Sequence, residues 1–163
     1  MTSPTTYAPG WPGSEPRWTS SAKTGVGTAL SNNSRVWFTL SHGILNEVYY
    51  PRLDTPCTRD VGLIVTGDDG YFSEEKRHAN THVSYPCDGV PFYRLTNACR
   101  TRRYRIEKDV LADPLRDVVL QRTRFIPNPD VPGNYHLYLL AAPHLGNRGW
   151  GNSGWVDDYK GIP

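Results

Sequence analysis

From residue 34 to residue 66 the hydrophobic and polar positions alternate in short runs, and this pattern predicts strands. Val36, Phe38 and Leu40 fall on one side of residues 34–40, with Arg35, Trp37 and Thr39 on the other, the period-2 signature of a half-buried strand. Residues 41–43 supply a turn. Residues 44–50 resume an extended pattern rich in β-branched and aromatic side chains, and Pro51, which has no N–H for a ladder, ends it. Residues 60–66, carrying Val61, Leu63 and Val65 against Gly62 and Ile64, predict a strand buried on much of both faces. The turn Gly67-Asp68-Asp69-Gly70 returns the chain into Tyr71 and Phe72. The charged run 73–77 reads as a solvated edge or loop.

Further along, residues 79–85 are strand-like but polar. Residues 92–109 alternate most evenly of all, with Tyr104, Ile106 and Lys108 opposite Arg103, Arg105 and Glu107. Asp113-Pro114 turns this stretch into residues 117–125, so the two together predict one long hairpin. Pro127 to Gly133 make the next reversal, and Tyr135, Leu137 and Leu139 opposite His136, Tyr138 and Leu140 predict one more strand. Closely spaced strands without an amphipathic helix imply an all-β, antiparallel β-sandwich.

Composition agrees with that class. The 163 residues suit one domain, and 15 Gly with 14 Pro favour short strands and many turns over long helices. Eighteen basic and 16 acidic side chains leave a net charge of +2, too near balance to indicate a polyanionic partner. Cys57, Cys87 and Cys99 are odd in number and lack a C-x-x-C pair, so neither a zinc ribbon nor a redox centre is indicated. Residues 1–16, dominated by Pro, Gly, Ser and Thr, predict a flexible N-terminal segment that Trp18 would anchor, and residues 17–163 the sandwich domain. The start has no basic and apolar signal pattern and no stretch is long enough to span a membrane, which gives the expectation of a cytoplasmic protein, with secretion as the alternative.

An ordered series of blocks carries a more specific signal. Arg17-Trp18-Thr19, Lys23-Thr24-Gly25-Val26-Gly27-Thr28, Ser34-Arg35-Val36-Trp37-Phe38-Thr39-Leu40, Asn46-Glu47-Val48-Tyr49-Tyr50-Pro51, Asp54-Thr55-Pro56 and Thr58-Arg59-Asp60 resemble the amino-terminal domain of bacterial glucoamylases and glucodextranases of glycoside hydrolase family 15. Looser likeness continues through residues 73–77 and 143–147. The resemblance implies a large sandwich of the super-β-sandwich, galactose-mutarotase-like kind, here incomplete at its C-terminus. It implies a role as the non-catalytic domain of an α-glucan exo-hydrolase, supporting an (α/α)6 catalytic barrel of the same polypeptide and its substrate cleft. That barrel is not in this sequence. A free-standing carbohydrate-binding module is the alternative, and an unrelated sandwich adhesion domain a more remote one.

Candidate chemistry is sparse. An inverting glycosidase needs a protonated carboxylic acid and a carboxylate about 6.5–9.5 Å apart. Glu47, Asp54, Asp60, Glu74, Glu75, Asp157 and Asp158 are the available stock, and none sits in a context that predicts a raised pKa. In the resembled family both catalytic glutamates lie in the barrel, so this chain alone is expected to be inactive, with no catalytic residue and no cofactor. Gly25-Val26-Gly27 lacks the third glycine of a dinucleotide loop, and a turn is the simpler expectation. Ser41 and His42 lack a nucleophile elbow. His78 and His82 have metal-compatible spacing only on a helix that Asn80, Thr81 and Val83 disfavour. The arginines at 100, 102, 103 and 105 are followed by Glu107, Asp109 and Asp113, which argues against a nucleic-acid patch.

Two groups remain as binding candidates. Tyr49, Tyr50, Arg52 and Asp54, in the loop that ends the first hairpin, are candidates for a substrate-cleft border or a domain interface, with an ordinary corner pairing Arg59 and Asp54 as the structural alternative. Trp150 and Trp155, in the glycine-rich stretch 146–163, are possible sugar-stacking platforms beside Asn147, Arg148 and Asp157, or anchors that pin a long connection.

Overall fold

The computed structural model describes residues 22–156. The expected segment 1–16, Trp18, Asp157 and Asp158 lie outside them. Ten strands form two antiparallel sheets among the described residues. The first sheet contains β1 (Gly25–Thr28), β2 (Trp37–Ser41), β3 (Ile44–Tyr49), β4 (Pro56–Gly67) and β5 (Phe72–Glu74). A four-residue helix, α1 (Glu75–His78), carries the chain across to the second sheet, β6 (Ala79–Ser84), β7 (Tyr93–Cys99), β8 (Tyr104–Ala112) and β9 (Val119–Pro127). Finally β10 (Tyr135–Pro143) returns to the first sheet. The orders are β1-β2-β3-β4-β10, with β5 also on β4, and β6-β7-β8-β9. No helix among the described residues is long and apolar enough to cross a membrane.

The alternating pattern decides which side chains meet between the sheets. Val36, Phe38, Leu40 and Leu45 pack against Tyr93, Leu95, Val110 and Ala112 as one buried cluster. Leu63, Val65, Cys99, Tyr104 and Ile106 form a second. Gly25 and Gly27 lie in β1 instead of a turn, and their lack of side chains is a packing requirement. A Cβ on Gly27 would stand 2.2 Å from the Phe38 ring, and one on Gly25 would stand 2.7 Å from Tyr93.

A polar layer lies between the two clusters. Lys108 follows Ile106 on the inward face of β8 and is fully buried, and its ammonium group pairs with the fully buried Glu75. The Glu75 carboxylate also accepts the Leu63 N–H at 2.8 Å and the Asn97 side-chain amide at 3.0 Å. Asn97 donates in addition to the Gly43 carbonyl at 2.8 Å and accepts from Thr81 Oγ1 at 2.8 Å. Burial favours neutral Lys108 and lowers its pKa, while the Glu75 charge opposes that shift. The charged run 73–77 is therefore not the solvated segment its composition suggests, since Ser73 and Glu75 are each 1% exposed.

Two other departures from the alternating pattern are local. Residues 92–109 are two strands, not one, because residues 100–103 make a turn in which Arg102 adopts φ 60°. In the first sheet, Asn46 and Asp60 are extra residues in β3 and β4. The pairs Leu45↔Val61 and Glu47↔Arg59 flank them, and the ladders with β2 and β10 shift register at the same level. The two bulge residues face each other, Asn46 donating to Asp60 at 2.7 Å. This is why Leu45 and Val48, three apart, both reach the first cluster.

Candidate functional site

Strand register brings three loops to one end of the sandwich. The pairs Thr28↔Trp37, Trp37↔Tyr49 and Tyr49↔Pro56 place loops 29–36 and 50–55 there together. The turn 113–118 of the second sheet joins them through side chains. Ser34 Oγ donates to the Arg116 carbonyl at 2.8 Å, and Asp117 accepts from both the Arg35 backbone N–H and the Arg35 guanidinium. That guanidinium also donates to the Tyr50 hydroxyl at 3.3 Å and lies 5.6 Å from the centre of its ring. The Arg35 N–H and then its charge outweigh the opposing effect of burial and hold the Asp117 carboxyl below its ordinary range.

Each loop is also closed on itself. Asp113 Oδ1 accepts the N–H groups of Leu115 and Arg116 at 2.7 and 3.1 Å, an Asx turn that Pro114 favours sterically. Tyr50 N–H donates to the Thr55 carbonyl and Thr55 N–H to the Arg52 carbonyl, both at 3.1 Å. At the tip Arg52 and Asp54 pair at 2.7 Å. Partial desolvation would raise Asp54, but the Arg52 contact prevails and its carboxyl titrates below the usual value. Between these fixed polar contacts Leu30, Leu53 and Leu115 stand 69%, 65% and 73% exposed.

The four candidate residues of the first hairpin loop are thus divided. Tyr50, Arg52 and Asp54 belong to the exposed end. Tyr49 turns the other way, its hydroxyl donating to Glu47 at 2.7 Å. Burial first, and then the Glu47 carboxylate, push its pKa up to about 12, so it remains a protonated donor. Glu47 also receives Lys23 at 2.8 Å and Thr39 at 3.3 Å. The alternative corner pairing of Arg59 with Asp54 does not form. Arg59 sits opposite Glu47 and 3.9 Å from Asp60.

The tryptophan candidates reach the same end by another route. β10 runs out along the start of β4, where His144 N–H donates to the Cys57 carbonyl at 2.8 Å. Trp150 and Trp155 follow, 68% and 56% exposed, with Arg148 5.9 Å from the Trp150 ring centre. Asn152 holds the stretch by donating to the Pro143 and Arg148 carbonyls at 3.2 and 2.7 Å. Burial and then the neighbouring Arg59 charge lower the His144 pKa below its ordinary 6.5, against the pull of Glu47. The unfolded chain therefore takes the proton first, and stability falls as pH drops from 6.5 towards the lower folded value. We expect His144→Asn to flatten the stability loss on acidification below pH 6.5 in urea unfolding.

Sequence reasoning missed Leu30, Leu53, Leu115 and the Arg35–Asp117 link. The available signal was a lone leucine amid turn-forming residues, as in Asp113-Pro114-Leu115-Arg116-Asp117, where no strand face calls for it.

Acid–base and metal chemistry find little support in the geometry. Asp54, Asp68, Asp69 and Asp117 are all shifted downwards, away from the protonated state that a general acid requires. A shallow concavity of about 590 Å³ lies at the opposite end, lined by Pro127, Asn128, Pro129 and Val131 to Asn134, none of which titrates near neutrality. His78 closes α1 and His82 lies on β6, so their spacing is not helical. No group of three His, Cys, Asp or Glu residues that could hold a metal ion occurs among the described residues. The arginines at 100–105 are dispersed: Arg100 reaches Asn80, Arg103 pairs with Asp69 over the Tyr71 ring, and Arg105 pairs with Glu107.

Comparison with known proteins gives concordant matches. The family model described as glucodextranase, domain N, matches residues 8–163. A glucoamylase from Clostridium sp. (strain G0005) is 37% identical over 145 residues, which cover 89% of this chain and 21% of that protein. A crystal structure of bacterial glucoamylase complexed with acarbose is similar with a TM-score of 0.81 and 36% identity, over 89% of this chain and 22% of that one. The chain spans about a fifth of the length of these relatives.

Proposed function

The chain belongs to the glucodextranase domain N family, and from that premise we propose that it is the non-catalytic N-terminal sandwich of an α-glucan exo-hydrolase. Its role is to support a catalytic (α/α)6 barrel of the same polypeptide and to shape that barrel's substrate cleft. The observation that carries this reading is the match to about a fifth of two glucoamylases. The test is glucose release from maltooligosaccharides. Purified chain of this length is expected to release none, and deleting residues 1–163 from the complete polypeptide is expected to abolish release and lower the melting temperature. Hydrolysis by the chain alone, or full activity after the deletion, would overturn the reading.

The sandwich is also proposed to continue beyond this sequence. Leu137 and Leu139 of β10 share a face with Val65 and Leu63, yet they are 40% and 63% exposed. Further strands of the same polypeptide would cover them and pair with the edge of β10 that carries no strand among the described residues. A longer fragment is expected to bind less of an apolar fluorescent dye than this one does. If dye binding were equal, the continuation would fall.

Exposed Trp150 and Trp155 favour a second reading, a free-standing carbohydrate-binding module. Titration with maltose separates the two. Saturable quenching of tryptophan fluorescence supports the module, and an unchanged spectrum supports the accessory domain.

A further inference from the structure

We propose that Asp88-Gly89 is a modification site, at which the backbone isomerises through a cyclic imide to isoaspartate, while Asp69-Gly70, the other Asp-Gly pair of the chain, is protected by its hydrogen bonds. Glycine after aspartate leaves the way open for this reaction, because no Cβ shields the attacking nitrogen. The dipeptide is the same in both places, so any difference between them comes from the fold.

Exposure and backbone conformation do not separate the two pairs. Asp69, Gly70, Asp88 and Gly89 are all exposed. Gly70 and Gly89 are both left-handed, with φ of 79° and 73°, and nothing lies within 4 Å of an added Cβ at either. What differs is whether the reacting groups are held. The Gly70 N–H donates to the Gly67 carbonyl at 3.0 Å, and the Asp69 carboxylate accepts from the Tyr71 N–H at 3.1 Å and from Arg103 at 2.7 Å. The Arg103 guanidinium, and then the Tyr71 N–H, also hold the Asp69 carboxyl below its ordinary range, in the ionised form that resists attack. At the second pair, the Val90 N–H closes a turn onto the Cys87 carbonyl at 3.4 Å and sets Gly89 at its third position, the place a type II turn gives to glycine. Neither the Gly89 N–H nor the Asp88 carboxylate has a hydrogen-bond or ion-pair partner among the described residues. Nucleophile and electrophile are both free to meet.

The chemistry needs only water. The Gly89 nitrogen gives up its proton and bonds to Asp88 Cγ, and a carboxyl oxygen leaves as water, which closes the imide ring. Water then adds to one of the imide carbonyls. Breaking the bond between nitrogen and the Asp88 main-chain carbonyl carbon leaves the chain running through the side chain, as isoaspartate with a free α-carboxylate. Breaking the newer bond restores aspartate. The water lost is regained and nothing is oxidised. The backbone gains a methylene in a turn with open space around Gly89.

Peptide mapping of the chain after prolonged incubation at neutral pH tests this, once with the chain folded and once in denaturing guanidinium chloride. Trypsin places the pairs in separate peptides, 60–76 and 78–94, and Asp88 is the sole aspartate of the second. From the folded chain, peptide 78–94 is expected to yield a chromatographically distinct form of equal mass that accepts methyl groups from S-adenosylmethionine through an isoaspartyl-specific carboxyl methyltransferase. That form should accumulate several-fold faster than any isomer of peptide 60–76. In guanidinium chloride the two rates should converge, and Asp88→Glu should remove the signal from 78–94, because the larger ring closes far more slowly. Absence of the isomer from the folded chain, or equal rates at both pairs while folded, overturns the proposal. A difference that persists in guanidinium chloride overturns the protective role of the hydrogen bonds around Asp69.

Discussion

Replacing Lys108 with alanine is expected to cost about 3–5 kcal/mol of folding free energy, the usual range for removing one partner of a buried ion pair. Lys108 and Glu75 both have fully buried side chains. Without the ammonium group the Glu75 carboxylate would remain in the interior with only the Leu63 N–H and the Asn97 amide to solvate it. For a chain of this size such a loss corresponds to a fall of roughly 10 °C in melting temperature. Glu75→Ala should be comparably severe, because the Lys108 amine would then lie without its carboxylate partner among Ile106, Val110 and the two apolar clusters. Substituting both, as Glu75→Leu with Lys108→Met, should recover part of the loss. Recovery would be incomplete, since the Leu63 N–H would lose its acceptor. Chemical unfolding of the three variants checks this, and a loss below about 1 kcal/mol in both single variants would contradict it.

That pair also marks where sequence reasoning stops. Alternation places Lys108 with Tyr104 and Ile106, on the face that proves to be inward. What alternation cannot supply is the partner. Glu75 lies 33 positions away on a segment whose composition reads as solvated. The fold class, most strands and the His42-Gly43 turn were legible because each depends on neighbours in sequence. The turn at 100–103 was not, since Thr101-Arg102-Arg103 contains neither Gly nor Pro. A subtler trace exists in the parity of the buried positions, which are odd from Tyr93 to Cys99 and even from Tyr104 to Ala112. The candidate end was legible to the same degree. The loop carrying Tyr50, Arg52 and Asp54 followed from Pro51 and local composition, whereas Arg35 and Asp117 meet across 82 residues and between sheets. Tyr49 was grouped with Tyr50 by adjacency, although neighbouring positions on a strand face opposite ways.

Gly43→Ala connects a locally legible turn to the buried network, and it should be far more costly than the same change at Gly70. Both glycines occupy the left-handed region, with φ of 75° and 79°. Forcing alanine into it costs about 1–2 kcal/mol wherever the turn lies. Around Gly70 nothing comes within 4 Å of an added Cβ, so that conformational cost is the whole effect. At Gly43 the new carbon would stand 2.1 Å from Asn97 Oδ1 and 2.4 Å from Thr81 Oγ1. Asn97 cannot move aside cheaply, because it holds the Gly43 carbonyl, Glu75 and Thr81 together. Displacing it unpairs several buried polar groups, and we expect a total of about 3–5 kcal/mol at Gly43 from the sum of strain and lost hydrogen bonds. The measurement is the difference between the two variants in urea unfolding. Equal losses would mean that the Asn97 network yields freely to the added carbon, and the rigidity attributed to the polar layer would have to be withdrawn.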